Sequence, residues 1–165
     1  RRETLVVENP GAPNARLSYP LDCVANSLSK QEKFKHPDNI FFLTMDATGK
    51  FPAVSRISGN TIKRFFETGY TSQMPGTEAG SNEIKKTFSP CYGSPFMPRK
   101  IELYTSMLME KIKNTNANVF LINTGMGPNG NRFPLEFTRN CVKQAMTTKY
   151  DDRSEEVLEI LEGLL

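Results

Sequence analysis

An apolar run, Val119-Phe120-Leu121-Ile122, leads into the glycine-rich stretch Asn123-Thr124-Gly125-Met126-Gly127-Pro128-Asn129-Gly130-Asn131-Arg132-Phe133, and an amphipathic segment begins near Glu136. No other feature limits the possible folds as much. A short continuous apolar run bounded by turn residues reads as a strand covered on both faces. The glycines end it, and the segment after them reads as a helix over residues 136–149. Such a strand–loop–helix junction belongs to open α/β sheets, where ligands sit beyond the carboxyl ends of the strands. Glycines at 125, 127 and 130 let backbone approach a ligand closely, and Arg132 sets a permanent cation beside them. Gly-Pro-Asn-Gly also makes a simple turn, so on this stretch alone both readings stand.

The rest of the chain repeats the alternation. Asn39-Ile40-Phe41-Phe42-Leu43-Thr44-Met45-Asp46 is a second continuous apolar run and reads as another strand. Ser58 is placed to cap a helix over residues 60–68, and Gly69 to stop it. Ile101, Tyr104, Leu108 and Ile112 recur at helical spacing, predicting a helix over residues 100–114 with Met107 and Met109 in packing roles. Residues 117–124 form the strand before the glycine loop, so strands alternate with helices as in an α/β sheet. Thr4-Leu5-Val6-Val7 reads as a short strand ended by Asn9-Pro10-Gly11-Ala12-Pro13. Residues 70–99, rich in Gly, Pro, Ser and Thr, read as irregular, and a stretch that long is usually functional or mobile. Residues 69–80 carry the punctuation of a lid or of a plain surface loop. After Tyr150-Asp151-Asp152, Val157, Ile160, Leu161 and Leu164 form an apolar stripe on a final helix that needs something to cover it.

Composition narrows the function classes. The 165 residues carry a net charge of +3, with Lys and Arg scattered among Asp and Glu, so no basic stripe points to nucleic acid. No apolar run reaches the ~20 residues of a membrane span. Cys23, Cys91 and Cys141 are odd in number and match no zinc spacing, and reduced thiols point to a cytoplasmic setting. His36 beside Pro37 has no second ligand type nearby and reads as solvated. Thr48-Gly49-Lys50 looks like the tail of a phosphate-binding P-loop. The pattern fails there, because Thr44 stands at the first glycine position and Phe51 follows the lysine. The chain opens on Arg1-Arg2, which suggests a piece of something longer.

Seven segments resemble one family, in family order. They are Asn14-Ala15-Arg16-Leu17-Ser18-Tyr19-Pro20, Phe42-Leu43-Thr44-Met45-Asp46-Ala47-Thr48-Gly49, Pro52-Ala53-Val54-Ser55-Arg56, Gly69-Tyr70-Thr71, Gly76-Thr77-Glu78-Ala79-Gly80, the run from Thr87-Phe88-Ser89-Pro90 to Phe96, and Asn123-Thr124-Gly125 through Arg132. From about residue 14 to 150 the chain resembles the carboxy-terminal part of ATP-dependent phosphoenolpyruvate carboxykinases. The resemblance implies an α/β fold, a mixed sheet with flanking helices, forming part of the P-loop-kinase-like mononucleotide-binding domain of the carboxykinase fold. Residues 1–150 would belong to that ATP-binding catalytic domain, and residues 151–165 would be a helical tail outside the match.

The implied reaction converts oxaloacetate and ATP to phosphoenolpyruvate, CO2 and ADP with Mg2+ and Mn2+, serving gluconeogenesis. The resemblance makes Arg16 the catalytic arginine at the transferring phosphate and substrate. It makes Arg132, Phe133 and Thr138 contacts of the adenine side of ATP. Gly69, Tyr70, Thr71, Gly76, Thr77 and Glu78 become the active-site lid. A planar, always-charged guanidinium suits a phosphoryl transition state stabilised mainly by electrostatics. The chain departs from the family pattern at Ala15, Met126 and Phe133, where Thr, Trp and Ile are usual. It also lacks the family's phosphate loop and metal ligands, which are expected upstream. It would then bind in concert with the remainder of a parent chain and not turn over by itself. Two other readings stand beside this one: a non-enzymatic nucleotide-binding or regulatory remnant, and a partner-binding module using the Val157–Leu164 stripe.

Overall fold

β5 (Asn118–Asn123) is the middle strand of a three-stranded sheet, with β1 (Asn39–Thr44) parallel on one side and β2 (Val54–Ile57) antiparallel on the other. The computed structural model describes residues 18–25, 27, 33–73 and 84–165. Helices α1 (Gly59–Thr68), α2 (Ile101–Thr115), α3 (Leu135–Thr147) and α4 (Ser154–Glu162) flank the sheet, and a two-stranded antiparallel ribbon joins β3 (Tyr70–Gln73) to β4 (Lys85–Phe88). The architecture is therefore α/β with a mixed sheet and flanking helices, as the alternation of apolar runs and helical periods requires.

Side chains alternate across a strand, so β5 serves two cores. Val119 and Leu121 lie on a first face with Phe42, Phe51, Ile57, Ile62, Phe65 and Tyr70, and with Val157, Leu161 and Leu164 of the final helical segment. Phe120 and Ile122 lie on the second face with Val54, Cys141 and Ala145. Helix α1 sends Ile62 and Phe65 into the first core and ends at Gly69, whose φ of +54° is the left-handed cap position. A Cβ there would also strike the carbonyl oxygen of Ser89, so glycine is required twice over.

Several expectations need adjusting. Ser58 stands at the start of α1, but its hydroxyl faces Ser154 at 3.3 Å and does not cap the helix. Val54–Ile57 is a strand that local periodicity did not mark, because four residues next to a proline carry little signal of their own. The stretch over residues 70–99 is less irregular than its composition suggests, containing β3, β4 and two short 3-10 turns. The segment Thr4-Leu5-Val6-Val7 lies outside the described residues.

The last helix is part of the main core. Val157 and Leu161 are fully buried and Leu164 nearly so. The backbone N–H of Arg153 donates to Arg56 O at 2.9 Å, extending the outer edge of β2. Arg64 pairs with Glu162 through Nε at 2.7 Å and Nη2 at 3.1 Å. That fork raises the Arg64 pKa and holds the Glu162 carboxyl below its ordinary value. The apolar stripe expected to dock a partner is thus covered by the chain's own helices and sheet. Among the described residues no helix is long and apolar enough to cross a membrane.

Candidate functional site

The glycine loop sits at the carboxyl ends of the two parallel strands. Thr124 N–H donates to Thr44 O at 2.8 Å, carrying the β1–β5 pairing one residue past the sheet. Two buried polar residues then hold the loop in place. Asn123 is 1% exposed, and its carbonyl oxygen accepts from Gly125 N at 2.8 Å and from Asp46 N at 3.2 Å. Its amide donates to Phe51 O and Met126 O, both at 3.0 Å. One side chain therefore ties together the turn after β1 and the turn after β5, with its amide donors and carbonyl acceptor all used.

Asp46 shapes the opposing turn. Its carboxylate accepts from Thr48 N at 2.8 Å, Thr48 Oγ1 at 2.7 Å and Phe51 N at 3.0 Å. Its backbone carbonyl accepts from Met126 N at 2.6 Å. The two turns are so close that a Cβ on Gly125 would collide with the backbone carbonyl of Asp46. Glycine at 125 is there for close approach of backbone to backbone. The Thr48-Gly49-Lys50 sequence is accordingly a side-chain-stabilised turn and not a phosphate cradle.

Beyond this latch the loop closes on itself. Met126 and Arg132 form an isolated antiparallel bridge, and Phe133 N–H donates to Gly125 O at 2.9 Å. Pro134 follows in extended conformation and α3 starts at Leu135, with Glu136 in its first turn. Thr124, Arg132, Phe133, Leu135 and Thr138 line a cavity of about 390 Å³. That size falls within the range of small-molecule sites. The Phe133 ring stacks on Phe137 at 5.1 Å, and the Arg132 Nε lies 3.4 Å from Thr124 O. Thr138 Oγ1 donates to Pro134 O at 3.4 Å. Chemically the cavity offers an apolar aromatic wall, an exposed guanidinium and the partial positive charge of a helix start.

Three of the sequence-derived site residues, Arg132, Phe133 and Thr138, thus share one cavity. Phe133 contributes its ring, since its N–H is already taken by Gly125. Gly69, Tyr70 and Thr71 occupy the fixed root of the expected lid. Gly69 caps α1, Tyr70 is fully buried against Phe51 and Phe88, and Thr71 Oγ1 accepts from Met45 N at 3.1 Å. Arg16, Gly76, Thr77 and Glu78 lie outside the described residues. Sequence reasoning gave no role to Thr124, Leu135, Asn123 or Asp46. A polar residue closing an apolar strand, as Asn123 does, was the available signal for the latch.

Comparison with known proteins gives a consistent picture. The sequence profile of the phosphoenolpyruvate carboxykinase family matches residues 5–162, a span that takes in α4. The chain is 40% identical over 143 residues to a phosphoenolpyruvate carboxykinase (ATP) from Christiangramia forsetii, covering 84% of this chain and 27% of the relative. The phosphoenolpyruvate carboxykinase (ATP) 1 of Salinibacter ruber is 44% identical over 133 residues, covering 78% of this chain and 25% of the relative. One from Shouchella clausii is 38% identical over 164 residues, covering 91% and 31%. The chain spans about a quarter to a third of the length of these relatives.

Proposed function

This chain belongs to the ATP-dependent phosphoenolpyruvate carboxykinase family, and from that premise we propose that it supplies the adenine side of the nucleotide site in such an enzyme. The parent reaction would decarboxylate oxaloacetate and pass the γ-phosphoryl of ATP to the enolate. The single observation that carries the reading is the shared cavity of Arg132, Phe133 and Thr138 at the end of the central strand. A purine fits these surroundings. Its faces suit the Phe133 ring and the Arg132 plane, and its edge suits Thr138 Oγ1. Helix α3 opens at the cavity, and its partial positive charge favours the anionic end of the nucleotide.

The latch formed by Asn123 and Asp46 has a positioning role in this reading. It holds the glycine loop against the sheet so that the cavity keeps its shape without ligand. Arg16 would face the transferring phosphate, and residues 76–80 would close over the nucleotide to exclude water. In this reading the site belongs to a P-loop-kinase-like nucleotide-binding domain.

Metal ions would be held elsewhere. Among the described residues no group of three or more His, Cys, Asp and Glu could hold one, and the Asp46 carboxylate is committed to Thr48 and Phe51. These described residues do not fit a divalent ion, so in this reading turnover of oxaloacetate requires residues outside them.

The test is calorimetry of ATP binding in a full-length polypeptide carrying this chain. Arg132→Ala is expected to weaken ATP by about tenfold or more, the scale of one charge-assisted or cation–π contact. Unchanged affinity would remove the adenine assignment. In the same polypeptide Arg16→Ala is expected to lower kcat by about 10³-fold, by analogy with an arginine finger, and near-normal turnover would end that role.

A further inference from the structure

At the opposite end of the parallel strands, a second cavity of about 700 Å³ opens where β1 and β5 begin. It is separated from the glycine loop by the length of a six-residue strand, roughly 20 Å. Phe120 and Ala145 line its inner side together with Tyr150, whose ring meets Phe120 edge-on at 5.9 Å. Arg56 lines it as well, opposite Phe120 in the β2–β5 register and hence on the same face of the sheet.

Arg56 is unusual for its charge. Among the described Lys and Arg residues only Arg56 and Arg64 are withdrawn from full exposure. Arg64 has the Glu162 fork. The ion pairs within 4.0 Å among the described residues are Lys63–Glu67, Arg64–Glu162 and Arg153–Glu156, and none includes Arg56. Asp152, the bridge partner of Arg56, feels its positive charge without pairing with it within 4.0 Å, and its carboxylate accepts from Ser154 and Ser58. Charges taken from water are normally paired or fully hydrogen-bonded. A half-buried arginine with no ion pair within 4.0 Å among the described residues, on the wall of a cavity, points to an anion that completes it.

We propose that this cavity is a carboxylate-binding site anchored by Arg56. The fork of a guanidinium matches the two oxygens of a carboxylate. Phosphate fits less well, because it concentrates its charge in one tetrahedral group beside Asp38, Asp151 and the carboxyl end of α3, whereas a dicarboxylate spreads its two charges over two separate groups. Exposed Lys149 on the same rim favours a second carboxyl group on the occupant. The carboxylate comes either from a free small acid or from an Asp or Glu of a longer polypeptide containing this chain. The site is independent of the nucleotide reading, since it shares no residue with the Arg132 cavity.

The test titrates the 15N-labelled chain with sodium succinate against succinamide and against sodium chloride at matched ionic strength. Succinate is expected to move the amide signals of Asn39, Asn118, Thr148 and Tyr150, saturating at millimolar concentration. Succinamide and chloride should leave them in place. Arg56→Gln should weaken the response by about tenfold or more and Arg56→Lys by less, since lysine keeps the charge but loses the fork. Both variants must retain the dispersed spectrum of the parent chain, and the Arg56→Lys arm answers the question if Arg56→Gln unfolds. No response up to about 50 mM succinate, equal responses to chloride, or an undiminished response in both variants would overturn the site. Phenylglyoxal labelling of Arg56 in the longer polypeptide then separates the sources. Labelling blocked only by added succinate supports a free acid. Labelling that appears only when one Asp or Glu elsewhere in the polypeptide is neutralised supports a carboxylate of the same chain.

Discussion

On the first face of β5, Val119 and Leu121 meet three helices and a cluster of Phe, Tyr, Ile and Leu side chains, several of them with no exposure at all. On the second face, α3 is the one helix among the described residues that packs on Phe120 and Ile122, through Cys141, Val142 and Ala145, with Phe41, Val54 and Tyr150 beside it. Both cavities flank α3, one at its start and one at its end. A face closed by large side chains has no room for a ligand. A single helix held close by small residues leaves space beyond both of its ends. Stability and binding are thus divided between the two sides of one strand.

The sharpest way to break this comparison is truncation on the first face. Phe65→Ala is expected to cost about 3–5 kcal/mol in denaturant unfolding, because a fully buried ring leaves a cavity that helices and sheet cannot refill. A loss below about 1 kcal/mol would mean that the first face does not carry the stability. Asn123→Ala should come next, at about 2–3 kcal/mol, since it strands Gly125 N and two carbonyls that the fold has removed from water. If Asn123 is the latch, the variant also loses ATP affinity in the full-length polypeptide, whereas Phe65→Ala keeps it under folding conditions. Cys141→Ala on the second face should cost only about 1 kcal/mol, as it deletes one small buried atom. A loss as large as that of Phe65→Ala would erase the asymmetry between the faces.

The smallest effect is electrostatic and lies at the tail. The Arg64 fork lowers the Glu162 carboxyl below its ordinary 4.5. For Asp152, burial works against ionisation, but hydrogen bonds from Ser154 and Ser58 and the charge of Arg56 bring it below 3.8. A carboxyl with a lowered folded pKa contributes stability that is complete above its unfolded value and disappears as pH falls through the folded one. The melting temperature should therefore begin to drop below about pH 4.5. Arg64→Gln should flatten that drop, and an unchanged pH profile in Arg64→Gln would show that the fork adds nothing to the docking of α4.

Much of this was readable along the chain, and the reasons differ by residue. The Val119–Ile122 run read as a strand with two covered faces, and the 3.6-residue spacing of Ile101, Tyr104, Leu108 and Ile112 read as a helix, and both are so in the structure. Gly69 was readable as a helix stop because its chemistry is local. Arg132, Phe133 and Thr138 were grouped by the family resemblance and not by their spacing; the structure lines one cavity with them. Val54–Ile57 was not readable, since a four-residue strand takes its identity from the partner it bonds and not from its own pattern. The stripe on α4 was visible, but what covers it was not.

By itself, then, the sequence determined the strongly patterned elements: the two long apolar runs that are strands, the helices with a clear 3.6-residue period, and the glycine that stops α1. Those properties depend on dihedral preference and short-range periodicity, which act between near neighbours. Only the tertiary structure decided that Asn123 joins two turns 77 residues apart, that α4 closes the first core, and that Arg56 is half-buried with no ion pair within 4.0 Å among the described residues. Each of these is set by pairing across the sheet, where partners distant in the chain meet in space and the side-chain alternation of β5 assigns them to one face or the other.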